Sequence, residues 1–176
     1  MKTIKITRLF LVVTFGIMSI VSCEKADQSS GQNGSGPSAN VKEGIIQDHG
    51  PINDSTRSMQ SVFTSQDYVI TNLYTSISGR GAEIRIRFFS NKDGMIPSGN
   101  YTYAISPNKV PFTFSDATVQ MTDNSVAHGV FVMYNGSATV KTDGSTYGIQ
   151  LSGELSNGYS FSATFNGSMN YSDNYK

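Results

Sequence analysis

The chain has few of the residue types that define disulfide-rich and zinc-binding proteins. Its 176 residues include one cysteine, two histidines and no tryptophan. A single cysteine excludes an intrachain disulfide framework, with which small exported domains often compensate for a small core. One cysteine and two histidines are also too few for a structural zinc site of the usual four-ligand type. Neither a disulfide-stapled fold nor a zinc-centred site is therefore expected.

Sequence motifs of catalysis are missing as well. The chain contains neither the HExxH motif of zinc proteases nor the G-x-S-x-G elbow of serine hydrolases. A glycosidase needs two carboxylates that flank a cleft. The acidic residues of the β-rich part are not paired in sequence; they are Asp67, Glu83, Asp116, Asp123 and Glu154. We therefore predict no catalytic, metal-binding or cofactor-binding residues.

The first two dozen residues have the pattern of an export signal. Lys2, Lys5 and Arg8 precede an uncharged apolar run from Leu9 to Ile20. At about a dozen residues, this run is too short for a membrane-spanning helix, which takes about 20. The position, the flanking charge and the length of the run together predict a signal peptide over residues 1–22.

The signal ends in Ile20-Val21-Ser22-Cys23, which resembles the lipobox of bacterial lipoproteins. The resemblance implies that a diacylglyceryl group alkylates the Cys23 thiol and that the signal is cut just before it. Two or more acyl chains would then anchor the protein stably to a membrane. Cleavage reduces the count of Lys and Arg from 13 to 10 while the 13 acidic residues remain, which leaves a net charge of −3. Nucleic acid is therefore not an expected partner.

Between the lipobox and the β-rich part lie two segments of different character. Residues 23–40 lack large apolar side chains after Cys23, which predicts a flexible tether. The acidic start of the tether resembles the export signal of Bacteroidetes surface lipoproteins, which implies the outer membrane and favours the cell surface over the periplasmic face. Residues 41–66 fit either an early strand or a short helix, broken at Gly50-Pro51. Within them, Asp54-Ser55-Thr56 resembles a Bacteroidetes O-glycosylation acceptor.

From Asp67 onward, apolar and polar residues alternate with the period of two that half-buried strands show. Ile84, Ile86 and Phe88 alternate with charged residues, and Asp143-Gly144 and Asn157-Gly158 are hairpin-turn signals. We predict an all-β domain over residues 67–176, built as an antiparallel, hairpin-connected β-sandwich. A small up-and-down lipocalin-like β-barrel is the alternative. The predicted strands, about eight in number, are 67–77, 82–89, 100–105, 112–121, 126–134, 137–142, 146–155 and 159–171.

Most of residues 67–171 are similar to small uncharacterised β-domain lipoproteins of Bacteroidetes. The similar stretches are Ile96 to Tyr103, Gly136 to Val140 and Tyr147 to Leu151. The resemblance implies a place in the cell envelope, often beside glycan-handling systems, and it brings no catalytic motif.

Tyrosines are the remaining candidates for ligand binding, because an exposed ring stacks on a sugar while its hydroxyl stays wet. Tyr101 and Tyr103 share a strand face, and Tyr134 ends another strand. We predict these three as ligand-binding residues, with the alternative that their rings lie at the core margin. The resulting hypothesis is a non-catalytic, lipid-anchored binding or structural module, whose partners are the membrane and a glycan or an envelope protein. A glycan- or peptidoglycan-active hydrolase and an assembly subunit of a surface complex are the alternatives.

Overall fold

The part of the chain that the computed structural model describes, residues 43–105, 108–121 and 129–175, consists of strands, turns and loops without a helix. The predicted signal peptide, Cys23 and the predicted tether lie outside the described residues. The described strands are β1 (Glu43–Asn53), β2 (Thr56–Thr64), β3 (Asp67–Thr71), β4 (Ser76–Gly79), β5 (Glu83–Ser90), β6 (Gly99–Tyr103), β7 (Thr113–Met121), β8 (Gly129–Asp143), β9 (Thr146–Leu155) and β10 (Ser160–Asp173).

These ten strands form one hydrogen-bonded sheet that closes on itself. Their order is β1-β2-β5-β7-β6-β8-β9-β10-β3-β4. The sheet closes because β1 also pairs with β10 in parallel, and β7 also pairs with β8. The long strand β10 contacts β3 with its first residues and β1 with its last. The predicted all-β, antiparallel class is confirmed, and the closing pair gives the strands the connectivity of a barrel.

The segment over residues 41–66, which the sequence left between strand and helix, contributes β1 and β2 to this sheet. The register of the two strands shifts between Asp48 and Pro51. This irregularity accommodates the proline, which lacks the N–H group that a regular ladder requires. The described part of the β domain therefore includes the residues from Glu43 onward and is not limited to those from Asp67.

Two further strand boundaries differ from the prediction. The predicted strand 67–77 is the hairpin of β3 and β4, because the Asn72 side chain accepts hydrogen bonds from the backbone of Tyr74 and Thr75 and turns the chain. The predicted strands 126–134 and 137–142 belong to one strand, β8, which the structure describes from Gly129 onward. The other predicted strands agree with the structure to within about two residues.

The inner face of the sheet carries the hydrophobic core. Ile84, Ile86 and Phe88 of β5 are fully buried, as their alternation with charged residues predicts. On the outer face of the same strand, Arg85 pairs with Glu83 at 3.2 Å. Aromatic rings connect distant strands within the core; Phe63 and Phe165, for example, have ring centroids 5.0 Å apart. Such ring pairs contribute about 0.5–1.5 kcal/mol beyond area burial.

Strands β8 and β9 approach each other closely at a pair of glycines. Gly136 and Gly153 are register partners. A Cβ atom on Gly153 would lie 2.2 Å from the backbone oxygen of Asn135, and one on Gly136 would lie 2.3 Å from that of Ser152. The two backbones can approach this closely because neither residue has a side chain.

We predict that Gly153→Ala destabilises the domain by about 1–3 kcal/mol, the usual cost of overpacking. The cause is the contact with a backbone atom, which cannot rotate away. Urea denaturation of the wild type and the variant measures the difference. Gly148→Ala on the same strand is the control, because its new Cβ would meet the movable Asn166 Oδ1 at 3.0 Å. Equal stabilities for Gly153→Ala and Gly148→Ala would contradict the steric explanation.

Candidate functional site

The structure places Tyr101, the first predicted ligand-binding residue, in the core. Its side chain is 0% exposed, and its ring centroid lies 5.0 Å from that of Phe88. Its hydroxyl donates a hydrogen bond to the Pro97 carbonyl at 2.8 Å. Burial raises the pKa of Tyr101 well above its ordinary value. This corrects the prediction for Tyr101, since its ring is enclosed in the core and offers no face to a ligand.

Tyr103 and Tyr134, in contrast, line one surface groove. Tyr103 is half-buried and packs edge-on against Phe114, with ring centroids 5.6 Å apart. Tyr134 is 46% exposed. The groove has a volume of about 620 Å³ and also includes Asn135. Two of the three predicted tyrosines are thus brought together at the surface.

A β-bulge on β8 presents Tyr134 and its neighbour at this surface. Met133 is the register partner of Leu155 and Asn135 that of Glu154, so that Tyr134 is the extra residue. As a result, Tyr134 and Asn135 are both exposed, although they are consecutive in the strand. Bulges often redirect side chains in this way next to functional sites.

The redirected side chains converge on one carboxylate. The Tyr134 hydroxyl and the Asn135 Nδ2 both donate to Glu154 Oε2, the latter at 2.8 Å. The Glu154 backbone N–H donates to Asn135 Oδ1 at 3.0 Å. The hydrogen bonds from Tyr134 and Asn135 lower the pKa of Glu154, and the bond to Glu154 raises the pKa of Tyr134. Glu154 therefore stays ionised and acts as a hydrogen-bond acceptor.

A second polar cluster lies at the seam where β1 meets β10. We call it the seam cluster; it consists of Asp48, Arg57, Asp93, Tyr171 and Tyr175. Asp48 is 0% exposed. Its Oδ1 accepts a hydrogen bond from the Gly50 N–H at 2.7 Å. Its Oδ2 accepts bonds from the Arg57 Nε at 3.1 Å, the Arg57 Nη2 at 2.8 Å and the Tyr171 hydroxyl at 3.0 Å.

Separate elements position each member of the seam cluster. Arg57 stands at the start of β2, and its Nη2 also contacts Asp93 Oδ1 at 3.2 Å. Asp93 lies in the turn after β5, which the Ser90 hydroxyl fixes by donating to Met95 O at 3.0 Å and by accepting from Lys92 N at 2.9 Å. The Arg57 guanidinium thus links the buried carboxylate of Asp48 on β1 to the exposed carboxylate of Asp93 in this turn.

Tyr171 and Tyr175 form the aromatic side of the seam cluster. Tyr171 is 42% exposed and Tyr175 is 61% exposed. A Cβ atom on Gly50 would lie 2.3 Å from the Tyr175 ring, so that this ring packs where only glycine fits. The groove at the cluster has a volume of about 550 Å³ and is lined by Arg57, Asp93, Gly94, Tyr171, Asp173 and Tyr175.

The protonation states of the seam cluster follow from its hydrogen bonds. Burial would raise the pKa of Asp48, but the bonds from Arg57, Gly50 and Tyr171 outweigh it and lower the pKa below 3.8. The bond to Asp48 raises the pKa of Arg57. Burial, together with the hydrogen bond to Asp48, raises the pKa of Tyr171 to about 12. At neutral pH, Asp48 is therefore ionised, Arg57 charged and Tyr171 a hydrogen-bond donor.

The sequence analysis missed the seam cluster because it interpreted Gly50-Pro51 as a break and left the segment around it undecided between strand and helix. One signal was present: Asp48 follows Ile46 by two residues and therefore shares its inward face. An acidic residue on an inward face needs a partner, since an unpaired buried charge is costly.

Most of the carboxylates considered for catalysis pair with arginines, whereas Glu154 accepts hydrogen bonds from Tyr134 and Asn135. Asp67 pairs with Arg80 at 3.3 Å, and Asp116 with Arg87 at 3.6 Å. Asp123 lies outside the described residues. In the described ranges, no three His, Cys, Asp or Glu side chains form a group that could hold a metal ion. The same ranges contain no helix able to span a membrane.

Comparisons of the chain with protein-family models, curated proteins and solved structures gave no match. The geometry of the site is therefore the basis for a functional proposal.

We predict that Asp48→Asn lowers the free energy of unfolding at pH 7 by about 1.5–3 kcal/mol, the usual contribution of a hydrogen bond to a charged group, because Arg57 then keeps only the exposed Asp93 as a charged partner. A carboxylate with a depressed folded-state pKa stabilises the fold above its unfolded pKa, and this contribution is lost as the pH falls through the folded value. The difference between wild type and variant should therefore shrink below pH 3.8.

Urea denaturation from pH 7 into the acid range measures this difference. Asp67→Asn is the control, because Asp67 and Arg80 form an exposed pair, which typically contributes about 0–1 kcal/mol. A deficit of Asp48→Asn that stays constant at all pH values would contradict the role of the Asp48 charge.

Proposed function

We propose that this protein is a lipid-anchored lipoprotein of the bacterial outer membrane whose β domain is a non-catalytic module that binds a saccharide. We place the domain at the cell surface rather than at the periplasmic face. The lipobox at Cys23 supports the anchor. The seam cluster carries the binding proposal, because it sets two partly exposed tyrosine rings beside fixed charged groups.

The chemistry of the seam cluster suits a sugar. A sugar ring offers C–H groups to an aromatic face and hydroxyl groups to polar side chains, and Tyr171 and Tyr175 provide such faces. The Asp93 carboxylate accepts hydrogen bonds from hydroxyl groups, and the Arg57 guanidinium donates them. A groove of about 550 Å³ falls within the usual range for small-molecule sites.

Pre-organisation is the second argument for binding. Asp48 holds Arg57 and Tyr171 through three hydrogen bonds to one oxygen, so that neither side chain must be ordered when a ligand arrives. Side chains that are fixed in advance lose less conformational entropy on binding, which strengthens affinity.

Binding is favoured over hydrolysis by the direction of two pKa shifts. The general acid of a glycosidase needs a raised pKa so that it carries a proton at neutral pH. Hydrogen bonds instead lower the pKa of Glu154 and, against the effect of burial, that of Asp48. Glu154, which lines a surface groove, is therefore suited to accept hydrogen bonds, and the buried Asp48 holds Arg57 and Tyr171 in place.

We predict that Tyr175→Ala weakens saccharide binding by at least about tenfold, or ~1.4 kcal/mol, because it removes one aromatic face of the groove. Isothermal titration of the mature chain with a glycan selected on an array measures this change. Tyr74→Ala is the matched control, since Tyr74 is exposed in the distant β3–β4 turn. Unchanged affinity of Tyr175→Ala would refute binding at the seam cluster. Loss of affinity in Tyr134→Ala alone would indicate that the saccharide binds in the groove lined by Tyr103 and Tyr134.

We also predict that Cys23→Ala releases the protein from the membrane fraction, because the variant cannot receive the acyl chains. Fractionation of cells that express the wild type, Cys23→Ala and the tether control Ser29→Ala tests this. External protease on intact cells should digest the wild-type domain if it faces outward. A Cys23→Ala protein that remains with the membrane would disprove the anchor.

A further inference from the structure

The turn between β3 and β4 carries the two most exposed large apolar side chains of the described residues. Leu73 is 92% exposed and Tyr74 is 89% exposed. Single exposed apolar residues are common and need no explanation. Two adjacent ones on a projecting turn form a small apolar tip.

The conformation of this tip is fixed by its own hydrogen bonds. Asn72 Oδ1 accepts bonds from the backbone N–H groups of Tyr74 and Thr75, both at 2.7 Å, and the Asn72 N–H donates to the Thr75 carbonyl at 2.9 Å. No charged residue occurs from Thr71 to Gly79. The tip can therefore enter an apolar medium without removing a charge from water, which would be costly.

The strand register shows how the start of the domain is oriented relative to the tip. Thr71, which precedes the turn, pairs with Ser160 at the start of β10. Strand β1 begins opposite Ser168, level with Thr146 of β9, and runs parallel to β10 and therefore away from the tip. Asp48 of the seam cluster lies opposite Asp173, near the far end of β10.

We infer that the β3–β4 turn is a membrane-contacting tip that inserts Leu73 and Tyr74 into the lipid surface and directs the seam cluster away from the bilayer. This inference rests on the lipid anchor of the proposed function. The ring of Tyr74 suits such an interface, where one end of the side chain is apolar and the other is wet.

The number of residues before β1 is sufficient for this orientation. From Ser168, opposite the start of β1, to Ser160 beside the turn, β10 extends about 27 Å at the usual rise per residue. About 19 residues separate Cys23 from Glu43, and a chain of that length spans at most about 65 Å. The distance from the start of β1 to the tip lies within this limit.

The inference is tested with the acylated mature protein, which begins at Cys23, in lipid vesicles. Acylation blocks the Cys23 thiol, so that each variant with one added cysteine has one reactive thiol. In Ser76→Cys this thiol lies beside the β3–β4 turn. In Ser145→Cys it lies in the turn after β8, at the other end of β9. Each thiol carries a fluorophore sensitive to its environment, and the vesicles contain a lipid with a nitroxide quencher. We expect at least twofold quenching at position 76 and none at position 145. In the Ser76→Cys background, Leu73→Ser/Tyr74→Ser should abolish the quenching.

Each of the other outcomes would contradict one part of the inference: the membrane-contacting tip, the role of its two side chains, or the lipid anchor. Protein that floats with the vesicles but shows no quenching at position 76, or equal quenching at 76 and 145, would overturn the membrane-contacting tip while the anchor stands. Quenching that survives Leu73→Ser/Tyr74→Ser would overturn the role of these two side chains. Protein that does not float would overturn the anchor and the tip together. Circular dichroism of each variant verifies that the domain is folded.

Discussion

The closed sheet depends on β1 lying beside β10, and the carboxylate of Asp48 is the interaction that fixes this seam. Asp48 belongs to β1, Arg57 to β2 and Tyr171 to β10, so that one oxygen connects three neighbouring strands. The bond to Gly50 satisfies the other oxygen and stabilises the irregular stretch before Pro51. A buried carboxylate without these partners would be strongly destabilising, so the members of the cluster depend on one another.

Irregular backbone accompanies each polar site of the domain. At the seam, the register shift of β1 coincides with the buried Asp48. On β8, the bulge at Tyr134 exposes two consecutive side chains, and the close pair Gly136 and Gly153 lies next to it. A third irregularity lies where β5 pairs with β7, between the register partners of Arg85 and Arg87, and there Arg87 pairs with Asp116 on the outer face. Departures from ideal strand geometry in this domain therefore coincide with charged or polar groups at the surface.

Much of the strand layout was predictable from the sequence, because inner and outer faces differ in polarity along β5, β9 and β10. The period of two, however, shows only which residues share a face of a strand, and not which of the two faces is buried. It placed Tyr101 and Tyr103 together but did not show that their face is the buried one. Closure of the sheet has no local signal in the sequence, because it pairs the first described strand with the last. The seam cluster was unpredictable as a whole, because Arg57, Asp93 and Tyr171 come from segments that only the fold brings together.

The pairing of β1 with β10 also has a consequence for the order of folding. Glu43 and Ser168 are register partners, so that the seam joins residues from opposite ends of the described chain. Contacts between residues so distant in sequence form slowly, because the entropy of closing a long loop is lost before the contact is gained. A growing chain cannot complete this sheet until its last strand is available. For the export proposed above, this topology would delay closure of the sheet until β10 had crossed the membrane.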